Sequence, residues 1–154
     1  MTVSRMPRTG ATMVLDIVSA EERLYSGEVH QICITGANGE LGIFPRHSAL
    51  LTSIRPGVVR FIPAGSDEED YLYVSGGMLE VQPAGVIVLA DTAMRCEDID
   101  EEAAREAKRR AEDVMRDSVL YTDRDEAHAV LLQAMAQLAV VEKARKKRGK
   151  RNGG

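Results

Sequence analysis

The stretch Gly39-Glu40-Leu41-Gly42-Ile43-Phe44-Pro45-Arg46-His47, set within residues 36–60, decides how this chain is read. Gly36, Asn38 and Gly39 offer the positive-φ positions that a tight hairpin needs. Leu41, Ile43 and Phe44 are too apolar for a solvated loop, and Pro45, with no N–H to donate, stops strand pairing. His47 stands at the tip, and Ala49-Leu50-Leu51 returns the chain to the core. Pro56-Gly57 then turns it into a further apolar run, 58–62. Hairpin follows hairpin with apolar side chains beside a loop tip, which predicts an interaction surface on a β-domain.

Working outward, strands are expected at 14–19, 24–25 and 29–35 on one side, and at 71–75, 78–82 and 86–90 on the other. Gly76-Gly77 and Pro83-Ala84-Gly85 separate the later ones, and 63–70 is a polar loop with four acids. Short strands so punctuated predict an antiparallel β-sandwich of about ten strands. The domain is expected over 13–91, preceded by a disordered extension, 1–12.

The pattern changes at Asp98. No Gly follows until Gly149, no Pro follows at all, and Ala becomes the commonest residue. Asp98 with Glu101, and later Asp123 with Glu126, read as helix-start capping signatures. Glu101–Arg105, Glu106–Arg110 and Glu112–Arg116 stand at the favoured i,i+4 spacing. Ala103, Ala107, Ala111 and Val114 or Met115 form a narrow apolar stripe on the first helix. Ala127, Val130, Leu131, Ala134, Leu138 and Val141 form one on the second. With a break at 117–122, the two predict an antiparallel helical hairpin over 98–147. Its Ala-lined seam buries little area, and at ~25 cal/mol per Å² it holds the helices only marginally. A basic flexible tail is expected over 148–154.

Composition narrows function chiefly by exclusion. No apolar run approaches the ~20 residues that span a bilayer, and the first dozen residues lack the apolar core of a signal peptide. The net charge of −4 conceals an asymmetry: 24 acids against 13 bases before Lys143, a balance of −11, then seven bases and no acid over 143–151. Such a run suits nucleic acid, anionic lipid or an acidic protein surface. Cys33 and Cys96 lack metal-ligand spacing and read as buried thiols. The three histidines, His30, His47 and His128, have no metal-binding spacing either. Neither a nucleophile elbow nor a phosphate-binding Gly-rich loop is present. No catalytic residue, metal or cofactor is assigned, and the chain is not expected to be an enzyme. His47 is the one residue singled out for function.

The segments Gly39-Glu40-Leu41-Gly42-Ile43-Phe44-Pro45-x-His47, Leu50-Leu51-Thr52, Pro56-Gly57-x-Val59-Arg60, Tyr73-Val74-Ser75-Gly76-Gly77, Leu79-Glu80-Val81-Gln82-Pro83, Val88-Leu89-Ala90-Asp91-Thr92-Ala93 and Glu97-Asp98-Ile99-Asp100 occur in this order. Together with the run 106–112 they resemble the epsilon subunit family of bacterial F-type ATP synthases, from Met13 to about Arg148. The resemblance implies a non-catalytic rotor component of the central stalk, peripheral at the cytoplasmic face of the inner membrane. Its sandwich is implied to join the gamma subunit to the c-ring through Glu40, Leu41, Gly42, Ile43, Phe44, Pro45 and His47. Its mobile helices are implied to restrain ATP hydrolysis. In that setting Lys143, Arg145, Lys146, Lys147 and Arg148 meet the acidic C-terminal region of a catalytic beta subunit.

Some members of that family bind ATP through Ile/Leu-Asp-x-x-Arg-Ala. Here Ile99 and Asp100 match, but Ala103 replaces the arginine. Arg105, two residues on, lies roughly 200° around the helix, so the pair is read as a motif remnant. A nucleotide-sensing regulatory module and a basic-tailed nucleic-acid-binding protein are the alternative readings.

Overall fold

The computed structural model describes residues 10–152, so most of the expected extension, residues 1–9, and the final two glycines of the expected tail lie outside the described residues. Nine strands precede two helices: β1 Met13–Val18, β2 Arg23–Gly36, β3 Gly39–Ile43, β4 Leu50–Ile54, β5 Gly57–Pro63, β6 Asp70–Val74, β7 Gly77–Gln82, β8 Gly85–Ala90 and β9 Ala93–Met94, then α1 Glu101–Asp117 and α2 Tyr121–Asn152. The runs expected at 24–25 and 29–35 are one long strand, β2. Its first half pairs with β1 and its second half with β3 and β5. A single strand thus serves both layers of the sandwich, with a register shift between Val29 and Gln31 where the layers diverge.

The hydrogen-bonded order is β1-β8-β7-β4-β2-β5-β6-β9, with β3 alongside β2. Every pairing is antiparallel except that of β1 with β8, which run parallel. The core follows from period-two alternation. Leu15 and Ile17, Ile32 and Ile34, Val59 and Phe61, Leu79 and Val81, and Val86 and Val88 all point into one buried cluster, which Ile43 also joins. Sheet pairing continues past residue 91, because Ala93 and Met94 pair with β6.

Local chemistry departs from the sequence reading at several places. Of the three residues expected to take positive φ in the β2–β3 turn, only Gly39 does so (φ 127°). At Gly36 the constraint is space instead: a Cβ there would stand 2.8 Å from Leu41 Cδ1, so the leucine side chain would have to shift. The left-handed residue after Pro45 is Arg46 (φ 69°). Cys33 and Cys96 are free thiols, but only half-buried.

A 3-10 turn at Cys96–Asp98 delays the first helix, so its N-cap is Asp100 rather than Asp98, with the Ala103 N–H donating to Asp100 Oδ1 at 3.0 Å. α2 begins at Tyr121, before Asp123, because the Leu120 carbonyl accepts from the Arg124 N–H. It continues beyond residue 147 as helix through Asn152.

Arg116 pairs with Asp113 and Asp117 instead of Glu112, while Arg105–Glu101 and Arg110–Glu106 form as spaced. Ala111 of the expected α1 stripe is buried and Ala107 and Met115 are half-buried, but Ala104 takes the buried place expected of Ala103, which is exposed. Val130 is exposed as well.

Gly77 is the tightest backbone point of the sandwich. It has φ 138°, and a Cβ there would stand 2.0 Å from the Leu89 carbonyl oxygen. Gly77→Ala is therefore expected to cost at least ~3 kcal/mol, combining a disfavoured φ with a backbone clash. Urea unfolding followed by circular dichroism checks it.

Candidate interaction sites

Two surfaces carry the residues singled out from sequence. The first is the loop after β3. Pro45 ends the strand, the His47 N–H closes a turn on the Phe44 carbonyl at 3.1 Å, and His47 Nδ1 lies 2.7 Å from the Ser48 carbonyl. Ile43 is wholly buried, so its side chain anchors the loop from inside, and Leu41 is half-buried. Phe44 is 55% exposed, and Glu40, Gly42 and His47 also face outward, Glu40 pairing with Arg60 at 3.3 Å. The loop, the β7–β8 turn and the start of β1 enclose a cleft of about 530 Å³ whose lining includes Phe44, His47, Pro83 and Val86.

Sequence reading overlooked a neighbouring feature, the outer face of β1-β8-β7-β4. Leu89 lies between Val18 and Met78, and Ile87 between Asp16 and Glu80, with Leu51 at the far side of that row. Leu51 is 68% exposed and Leu89 51%, and Met78 and Ile87 are also open. The signal was present in β8, where Val86-Ile87-Val88-Leu89-Ala90 is apolar at every position. Strands buried on both faces read as unbroken apolar runs, yet the outer face of β8 is open here.

The second surface is the basic end of α2, which is packed on the sandwich. Helix α2 has two buried faces: Ala127, Ala134 and Val141 are buried on one, and Ala136 and Val140 join Tyr73 of β6 on the other. Burial raises the Tyr73 phenol above its usual range, against a hydrogen bond with Gln137. Lys143 and Lys147 hold their ammonium groups over the Tyr71 ring, 5.9 and 5.7 Å from its centroid. Lys147 also donates to the Glu69 carbonyl at 2.8 Å and to Asp70 Oδ1 at 3.2 Å.

Arg145 reaches across to Glu101 at 2.9 Å, and Lys146 lies 3.9 Å from Glu142. Arg148 is exposed at the rim of a groove that also touches Tyr25 and Cys96. The hydrogen bond from Arg105, foremost, holds the Glu101 carboxyl below its ordinary range. Partial desolvation opposes this and Arg145 adds to it. Because the folded-state value is the lower one, this contribution is present above the ordinary glutamate range and lost as pH falls through the depressed value.

Ile99 and Asp100 are both engaged within the chain. Ile99 packs on the Tyr73–Val140 cluster and Asp100 caps α1. Among the described residues no group of three or more His, Cys, Asp or Glu is placed to hold a metal ion. Among the same residues no helix is long and apolar enough to cross a membrane.

The fold is a β-sandwich with an open apolar sheet face, followed by a two-helix hairpin folded onto its other sheet. A family model described as the ATP synthase delta/epsilon chain β-sandwich domain matches residues 12–96, and that of the long α-helix domain matches 97–142. The chain belongs to the ATP synthase delta/epsilon chain family. It is 52% identical to the ATP synthase epsilon chain of Halorhodospira halophila over 89% of its length and 97% of that protein's. It is 50% identical to that of Herminiimonas arsenicoxydans, over 89% and 98%. The fold is also that of a chain in the Euglena gracilis mitochondrial ATP synthase OSCP/F1/c-ring structure (TM-score 0.74, 21% identity, 90% of this chain and 87% of that one). A chain of the Tetrahymena thermophila mitochondrial central stalk and c-ring is similar at TM-score 0.57 and 11% identity, over 87% and 99%.

Asp100→Ala is expected to cost about 1 kcal/mol through loss of the cap, and Asp100→Asn, which caps equally well, almost nothing. Thermal melts of the three chains check it.

Proposed function

We propose that this chain is a central-stalk rotor subunit of the proton-translocating F-type ATP synthase, joining the gamma subunit to the c-ring and restraining ATP hydrolysis through α2. The observation that carries the first half is the open apolar face of Leu89 beside Met78 and of Ile87 and Leu51 on either side of Glu80. Apolar side chains gathered on a sheet face mark a protein contact, and the helices cover the other sheet. Gamma docks on this face, and the Phe44–His47 loop meets the c-ring. The chain works at the cytoplasmic face of the bacterial inner membrane and touches it only through the complex.

Restraint of hydrolysis falls to the basic end of α2, whose partner is the acidic C-terminal region of a catalytic beta subunit. The Ala seam of the helical hairpin supports this reading, since a weakly packed pair can exchange partners. Moving a population from 1:99 to 99:1 takes only ~5.5 kcal/mol of differential contacts. An ATP-sensing role has less behind it, because Ala103 stands where the motif has arginine and Asp100 already caps α1. Nucleic-acid binding rests on the basic run alone, and acids of the same chain pair with Arg145 and Lys147.

Phe44→Asp is expected to weaken assembly with the membrane sector and leave the isolated chain folded, read by co-purification of the c-ring and by circular dichroism. Truncation after Val141 removes all seven terminal bases and is expected to raise ATP hydrolysis by the assembled enzyme. Unchanged hydrolysis in that complex, with the truncated chain still incorporated, sinks the inhibitory half of the reading.

A further inference from the structure

We infer that the acidic β5–β6 loop is an electrostatic latch, which holds the helical hairpin against the sandwich by gripping Lys147 and lets it go as ionic strength rises. This bears on the hairpin invoked for regulation above, but it is a property of the isolated chain.

The loop has anchors that do not involve the lysine. His30, 8% exposed, accepts the Gly65 N–H at Nε2 (3.2 Å), and its Nδ1 lies 3.3 Å from the Ala11 carbonyl. Through these two contacts the ring pins the loop's entry to the sandwich. Ser66 then accepts the Glu68 N–H at 3.0 Å, closing a local turn. These bonds aim the Glu69 carbonyl, Asp70 and Glu68 at one point, and the Lys147 ammonium occupies it, 3.8 Å from Glu68 at the longest.

The Lys147 side chain is only 22% exposed, the least of any base at the end of α2 that forms an ion pair. Its pairs are therefore screened less than those of Lys146, which is 73% exposed. Apolar contact between sandwich and α2 is one cluster, Tyr73, Ala136 and Val140 with Val58, Met94, Cys96 and Ile99 packed against them, and on the α2 side its buried members are only an alanine and a valine. A partly buried lysine with three oxygen partners and an aromatic face beneath it adds a second, polar attachment one to two turns further along the helix. The same lysine is in the stretch assigned to a partner's acidic surface, so the loop and that surface compete for it.

The test measures opening directly. In the full chain carrying Cys33→Ser and Cys96→Ala, spin labels at Ser53→Cys and Arg124→Cys report the distance between sandwich and helices. Lys147→Glu is expected to raise the open population about tenfold at ~50 mM salt, equivalent to ~1.4 kcal/mol. Adding Asp70→Lys to that variant is expected to return it most of the way. Lys146→Glu is expected to change nothing, and the chain with native Lys147 is expected to open toward ~1 M salt. The inference fails if Lys147→Glu stays closed, if the charge swap stays open, if Lys146→Glu opens equally, or if salt has no effect. Neither assembly nor hydrolysis enters these readouts, so failure here leaves the proposed function standing, and the reverse holds too.

Discussion

The helical hairpin is seated on one buried cluster, in which Val140 and Ala136 meet Tyr73 with Val58, Met94, Cys96 and Ile99 packed around them. Tyr73 is on the outward face of β6, where a sandwich strand ordinarily shows a polar residue to water. Its ring needs a cover, and α2 supplies one. Once α2 is seated there, α1 must follow, because Ala104 and Ala111 have no other apolar surface to close on. The 3-10 turn, the Asp100 cap and the i,i+4 pairs then shape the path from β9 into the hairpin.

That arrangement divides α2 between two partners and satisfies neither strongly. Against α1 it offers Ala127, Ala134 and Val141; against the sheet it offers Ala136 and Val140. Alanine permits close approach but removes little area from water, so neither seam approaches the grip of a Leu-lined one. The charged groups at the helix end consequently matter more than they would on a deeply packed helix. Arg145 to Glu101 ties α2 to α1, and Lys147 to Asp70 ties it to the sandwich.

The sandwich behaves in the opposite way. Its core gathers side chains from eight of the nine strands, β2 belongs to both layers, and the Gly77 crossing leaves no room for even a methyl group. The densely packed sandwich thus leaves one apolar face open and carries on the other a helical hairpin seated largely on alanines.

Much of this was legible in the chain. Strand alternation, Gly-Pro punctuation and the Gly-free, Ala-rich run after Asp98 follow from local backbone preference. The sandwich and the two helices that follow it were therefore legible from sequence alone. The Leu41–His47 loop was legible for the same reason, as an apolar run ended by proline. Tertiary structure alone decided what depends on distant neighbours. It made Ile43 core and Phe44 surface, although both are apolar and adjacent. It gave α2 a second buried face, invisible to a search for one stripe. It also set Lys147 on an acidic loop 77 residues away in sequence. Periodicity records which residues leave water; which surface receives them depends on where the chain returns, and no local preference carries that.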